Sequence, residues 1–148
     1  MPDIQLTPHF RLSEFTRSTT ATARGIPNIP TIEAISNLQQ LCLHVLEPLR
    51  THAARPITIS SGYRSPALNQ AVGGSKTSQH MQGEAADIHI PDEQTGREWF
   101  NWLRTNVPYH QLIWEKSTPT SPHHWIHIAY KQTAPNAHQV IDNLIKTN

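Results

Sequence analysis

Residues 78–90 read SQHMQGEAADIHI. A histidine, His80, and a carboxylate, Asp87, stand seven positions apart, with Gly83 and the small pair Ala85-Ala86 between them. The closing segment, ADIHI (86–90), alternates apolar and polar residues, which is the period of a half-buried strand. Side chains two apart share a strand face. Ile88 and Ile90 therefore fall on one side, and Asp87 and His89 on the other. The pattern predicts a sheet with one packed face and one face free for chemistry.

The same alternation recurs downstream. In QLIWE (111–115), Leu112 and Trp114 alternate with Gln111, Ile113 and Glu115. In HWIHIAY (124–130), Ile126 and Ile128 alternate with Trp125 and His127. One sheet satisfies all three segments: its apolar face lies under helices, and its other face presents Asp87, His89, Glu115 and His127 to a cleft. PITIS (56–60) adds a further strand. Ile32, Ile35, Leu38, Leu41, Val45, Leu46 and Leu49 recur at three- and four-residue steps, predicting a long helix from Thr31 to about His52, which Pro48 should kink or shorten. Ser65 and Pro66 mark the start of a short helix. PDEQTGREWFNWLRTNV (91–107) reads as a helix with Trp99, Phe100 and Leu103 on its apolar side. Ser13 and Thr16 are the expected caps of short turns near the N-terminus. The tail, 131–148, is expected to end in a short helix carrying Val140, Ile141, Leu144 and Ile145. The expected fold class is α+β: a small, mainly antiparallel sheet with helices on one face and a cleft on the other.

A length of 148 residues favours one domain, spanning 1–148, with a real hydrophobic core. Lys and Arg number 12 against 11 Asp and Glu, so charge creates no demand for nucleic acid or an anionic membrane. No apolar run approaches the ~18 residues of a membrane span. The start, MPDIQLTPHF, has no basic segment followed by an apolar one, so synthesis in the cytoplasm without a signal peptide is expected. Access to a substrate outside the cell would then come after lysis or by non-classical export. A monomer is expected. The single cysteine, Cys42, lies in an apolar helical run and reads as core packing.

His80, Asp87 and His127 together offer two nitrogens and an oxygen. A catalytic zinc takes three such ligands and keeps a fourth position for water. Gly83 would let the loop 73–84 fold back so that His80 reaches the metal beside Asp87. Loops of this length in compact domains are more often functional or disordered. Spacing alone leaves a plainer reading open, with His80 exposed and Asp87 capping or ion-pairing nearby. His89, on the face of Asp87, is a rival ligand or a cleft residue.

The run SGYRSPALNQAVGGSKTSQHMQGEAADIHI, taken with QLIWE and WIHIAY, resembles the M15 family of zinc peptidases, over roughly residues 9–130. The likeness is greatest to the phage and prophage branch, in which S-G-Y-R-S, S-x-H-x6-D and W-[IV]-H recur in this order. The N-terminal LSEF and the LEPLR segment fit the same branch; the tail is not explained by it. The resemblance implies Zn2+ as cofactor, held by His80, Asp87 and His127, and hydrolysis of peptide bonds in peptidoglycan stem peptides or cross-links. It implies that Arg64, in SGYRS, holds substrate; the alternative for Arg64 is a structural ion pair. Ser78 and Gln79 either donate hydrogen bonds at the cleft or only shape the turn. Many relatives carry Glu or Asp three residues before the last ligand, where this chain has His124. Glu115 resembles the glutamate that serves as base in other members and is preferred, with His124 and His89 as alternatives. Two further readings stay open: a non-catalytic zinc module that binds cell wall or a partner, and a structural component that keeps the fold without turnover.

Overall fold

In the computed structural model, which describes residues 3–142, the chain opens with a hairpin of β1 (Gln5–Thr7) and β2 (Phe10–Arg11). Two short helices follow, α1 (Ser13–Thr16) and α2 (Thr19–Arg24). The cap of α2 is Ser18, whose hydroxyl accepts from the Ala21 N–H. Neither Ser13 nor Thr16 fills that role. A capping residue stands just outside the helix in extended backbone; Ser18 does, whereas Ser13 already lies within a helical turn and donates its hydroxyl to Asp3.

Thr31 caps α3 (Ile32–Leu41), which passes through a π-helical stretch at Cys42–Leu46 into α4 (Glu47–Ala53). Pro48 neither ends nor shortens this run. The widened turn just before it, in which the Glu47 N–H reaches back to the Cys42 carbonyl, relaxes the register where the proline can give no N–H of its own. The stripe Leu38, Leu41, Val45, Leu46 and Leu49 is fully buried, and Cys42 is buried with it.

The remaining elements are β3 (Ile59–Ser61), α5 (Pro66–Ala71), a 3-10 turn at Gln79–Gln82, β4 (Ala85–Ile88), α6 (Glu93–Asn106), β5 (Gln111–Glu115), β6 (Trp125–Ala129) and β7 (Gln139–Asp142). Ser65 caps α5 through the Leu68 N–H, and Pro66 follows it, as expected. Five strands form one sheet in the order β3-β4-β6-β5-β7. All pairings are antiparallel except β5 with β7.

That parallel strand corrects the expectation of a helical tail. Val140 and Ile141 pair beside Leu112 and Ile113, and Arg97 of α6 grips Asp142 at 2.7 and 3.2 Å. β-branched residues beside an open strand edge gain more from pairing than from an isolated turn of helix. Leu144 and Ile145 lie outside the described residues.

Register decides which side chains meet. Asp87 and Ile113 are both opposite His127, while Ile88 and Trp114 are both opposite Ile126. Directly paired residues share a face. One face therefore carries Asp87, His127 and Ile113. The other carries Ile88, Ile126 and Trp114, all fully buried, against Trp99, Phe100 and Leu103 of α6. The Phe100 ring meets Trp114 edge-on at 5.7 Å. Phe100→Ala is expected to lower unfolding free energy by about 3–5 kcal/mol through the cavity it leaves, read by denaturant titration. Among the described residues no helix is long and apolar enough to cross a membrane.

Candidate metal centre

The centre begins with a close backbone approach. A Cβ at Gly62 would lie 2.6 Å from the Phe15 Cα, so only glycine lets the chain leaving β3 pass α1 here. The Tyr63 N–H then donates to the Phe15 carbonyl at 2.7 Å, and the Gly62 carbonyl accepts from His80 Nδ1 at 2.7 Å. A carbonyl can only accept, so Nδ1 carries the proton and the Nε2 lone pair of the neutral ring is free. Below His80, Gly83 ends the 3-10 turn at φ 72°, where a side chain would meet the Ala34 carbonyl of α3. The turn bearing Gln79 and His80 is thus seated directly on a core helix.

His127 is held the opposite way round. Its Nε2 donates to Gln79 Oε1 at 2.9 Å, leaving Nδ1 to face Asp87 Oδ1 at 3.1 Å. His80 Nε2 faces the same oxygen at 3.3 Å. His80 and His127 are buried and Asp87 is nearly so. Their three donor atoms lie within 4.8 Å of one another. Two ring lone pairs and a carboxylate oxygen thus converge, each ring's N–H being committed elsewhere. Such a set suits a cation, and two nitrogens with one oxygen in a buried site fit zinc. Burial pushes the Asp87 carboxyl up; a proton on the ring nitrogens that face it, in the place a metal would take, lets His127 and His80 act on it by hydrogen bond and charge, which outweighs burial and holds the carboxyl well below the usual carboxylate range. The carboxylate stays ionised and ready for a metal.

Gly62 has a measurable consequence. Gly62→Ala should push the His80 support away from Phe15 and lower zinc affinity by roughly 10–100-fold, the usual effect of losing a contact that orients a ligand. Competition with a chelating dye would show it.

The surrounding cleft, of about 700 Å3, is lined by Arg64, Ser78, Gln79, Glu115, Lys116 and Trp125 among others. Arg64 is half-buried. Its Nη2 donates to Ser78 Oγ at 3.2 Å, while its Nε is buried without a partner. Among the described residues no ion pair fixes it; burial lowers its pKa, against the opposing effect of Asp87 and Glu115. Glu115 ends β5, opposite Trp125. Burial pushes its carboxyl up; His127 pulls it down, Asp87 pushes it up, and the Trp125 indole and His80 pull it down, leaving it above the ordinary value.

His124 is not brought to this centre. Its ring stacks on Trp114 at 4.8 Å, on the helix side of the sheet, and its Nδ1 meets Glu93 at 2.8 Å. His124 stands just before β6, where its backbone N–H and its ring are both held by Glu93 at the start of α6. His89 lies beyond the end of β4, exposed, and is absent from the converging group. Gly62 and Phe15 escaped the sequence reading, because nothing local in SGYRS or LSEF says that the two touch. Gln79 was read as a donor or turn former; it is the acceptor that orients His127.

The profile of the peptidase M15 family matches residues 8–129. A zinc D-Ala-D-Ala carboxypeptidase of Streptomyces albus G is 50% identical over 34 residues, 23% of this chain and 13% of that protein. The chain thus spans only a small part of that relative's length. With a match running from the N-terminal hairpin through β6, and with the His–Asp–His cluster inside it, this chain belongs to the M15 family of peptidases.

Proposed function

We propose that the protein is a zinc peptidase that hydrolyses peptide bonds in peptidoglycan stem peptides or their cross-links. His80 Nε2, Asp87 Oδ1 and His127 Nδ1 would hold the zinc. The observation that carries the reading is their convergence in a cleft that also holds a half-buried glutamate and a guanidinium that forms no ion pair among the described residues. The cell-wall substrate is suggested by the name of the Streptomyces relative, and a lytic role of the phage type by the order of the motifs.

Zinc, when bound, supplies a Lewis acid for the scissile carbonyl and lowers the pKa of water beside it. Glu115 takes the proton of the attacking water and passes it to the leaving amine. Its raised pKa brings it nearer to what an acid–base group working close to neutrality needs. Arg64 steadies the substrate by offering its planar fork to a carboxylate or carbonyl. Gln79 and Gly62 keep the two imidazoles turned so that the same nitrogens always face inward.

The test is mass spectrometry of purified peptidoglycan fragments after digestion, with zinc added or removed by chelation. New peptide termini that appear only with zinc support the reading; intact fragments under both conditions sink it. Arg64→Ala should keep zinc and raise KM by about 10–100-fold, the value of a lost charge-assisted hydrogen bond of about 1.5–3 kcal/mol. Arg64→Lys should rescue it poorly, because a point charge cannot reproduce the fork. Wild-type kinetics in both variants would return Arg64 to a structural role.

A further inference from the structure

Residues 62–65, between β3 and the start of α5, carry both a support of the metal centre and the proposed substrate arm. β3 ends at Ser61, so no strand partner satisfies their backbone groups, and each must find one elsewhere. The Gly62 carbonyl accepts from His80 Nδ1, and the Tyr63 N–H donates to the Phe15 carbonyl. The Arg64 N–H donates to the His80 carbonyl at 3.1 Å. Residues 62 and 64 thus grip one ligand, by its ring and by its main chain. The Tyr63 carbonyl and the Ser65 N–H, on either side of Arg64, go to a single side chain.

That side chain is Asn28, in the connection between α2 and α3. Its Nδ2 donates to the Tyr63 carbonyl at 2.9 Å and to the Thr16 carbonyl at 2.9 Å. Its Oδ1 accepts from the Ser65 N–H at 2.7 Å. Carbonyls only accept and a backbone N–H only donates, so the orientation of the amide is fixed and both of its N–H groups are used. Pro27 and Ile29 beside it are exposed, while Asn28 turns inward and is half-buried. Its bonds bracket a residue whose own side chain is barely held. The Arg64 guanidinium donates to Ser78 Oγ at 3.2 Å, and its Nε is buried without a partner. A long side chain with so little restraint of its own is placed by the backbone that carries it.

We infer that Asn28 is a positioning residue for substrate binding. It clamps the peptide groups before and after Arg64, and so sets where the guanidinium stands relative to His80 and the metal centre. Asn28 touches no substrate; it acts through Arg64. The inference rests on the peptidase reading above and on the substrate role given there to Arg64. A carboxylate at this position would keep the acceptor but set an anion against two carbonyl oxygens. A serine hydroxyl would have one proton to give where two are needed.

The test uses Asn28→Asp and Asn28→Ser, each alone and combined with Arg64→Ala. The zinc-loaded proteins are assayed on a stem pentapeptide and a cross-linked stem-peptide dimer, beside zinc content and melting temperature. Each single variant should raise KM by about tenfold, within the ~10²-fold that a 1 Å misplacement can cost, with kcat per bound zinc held. In the Arg64→Ala background the same changes should raise KM no further, because the two residues act as one unit. A role in the fold alone would lower the melting temperature or the zinc content and leave the KM of the zinc-loaded fraction unchanged; that result overturns the inference. Loss of zinc from both variants overturns it too, as does a rise in KM that persists in full on top of Arg64→Ala. A wild-type KM in Arg64→Ala alone removes the inference and leaves the peptidase reading standing. No product from either probe with the wild-type protein removes both.

Discussion

Asp87→Ala protein, purified in the presence of zinc, is expected to carry no stoichiometric metal and to show no measurable turnover. Asp87 is the one anion among the three donors, and both imidazoles face its Oδ1, at 3.1 and 3.3 Å. Without it, two neutral rings remain, each turned toward an empty corner of a buried site. The loss should exceed the 10–100-fold typical of an orienting contact. Asp87→Asn keeps the shape but replaces the carboxylate with a neutral amide, and should lose zinc nearly as completely. The ligands come from a 3-10 turn and two strands, so binding also ties those segments together. At a hundredfold excess of zinc over its Kd, the wild type gains about 2.7 kcal/mol of stability. Its melting temperature should fall on chelation, while that of Asp87→Asn should not move. Metal analysis and thermal melts with and without chelator measure both effects. One zinc per chain in Asp87→Asn, at wild-type affinity, would falsify the assignment.

Glu115→Gln is expected to bind zinc normally and to lose roughly 10²–10⁴ in turnover, the range of general acid–base catalysis. The change is nearly isosteric, and Glu115 is not among the converging donors. The pH dependence carries a sign. A base must be ionised to act, so activity should fall as pH drops through the Glu115 pKa, which burial raises above the ordinary 4.5. That acid limb should be absent from the residual activity of Glu115→Gln. A carboxyl whose folded pKa is raised favours folding in its protonated form, and that contribution is lost as pH rises through the folded value. At neutral pH the ionised Glu115 therefore costs stability, and the variant should be no less stable than wild type, an exchange common at active sites. His124→Ala should leave turnover within a few-fold of wild type, since its ring lies against Trp114 on the far side of the sheet. Collapse of turnover in His124→Ala beside a near-normal Glu115→Gln would reverse the two roles.

Much of this architecture is local, and therefore legible in the chain. Alternation in ADIHI, QLIWE and HWIHIAY separates the faces of the sheet because strand side chains alternate whatever the partner strand may be. It put Asp87, Glu115 and His127 on one side, and Ile88, Trp114 and Ile126 on the other. The stripe from Leu38 to Leu49 declared its helix by the same kind of repeat. What the repeat cannot carry is how far an element runs and what crosses it. β4 stops at Ile88, so His89 drops out of the site. The segment around Val140 becomes a parallel strand because β5 offers it an open edge, a fact about another part of the chain. Which imidazole nitrogen faces the metal depends on Gly62 and Gln79, and Gly62 is where it is because Phe15 passes within van der Waals limits of it. The hollow beside Asp87 likewise exists only because α2 packs near α5 and β3. Donor identities follow from residue chemistry and strand period, which the sequence encodes position by position. Donor orientation and the shape of the cleft depend on contacts between segments far apart in the chain, which only the folded structure brings together.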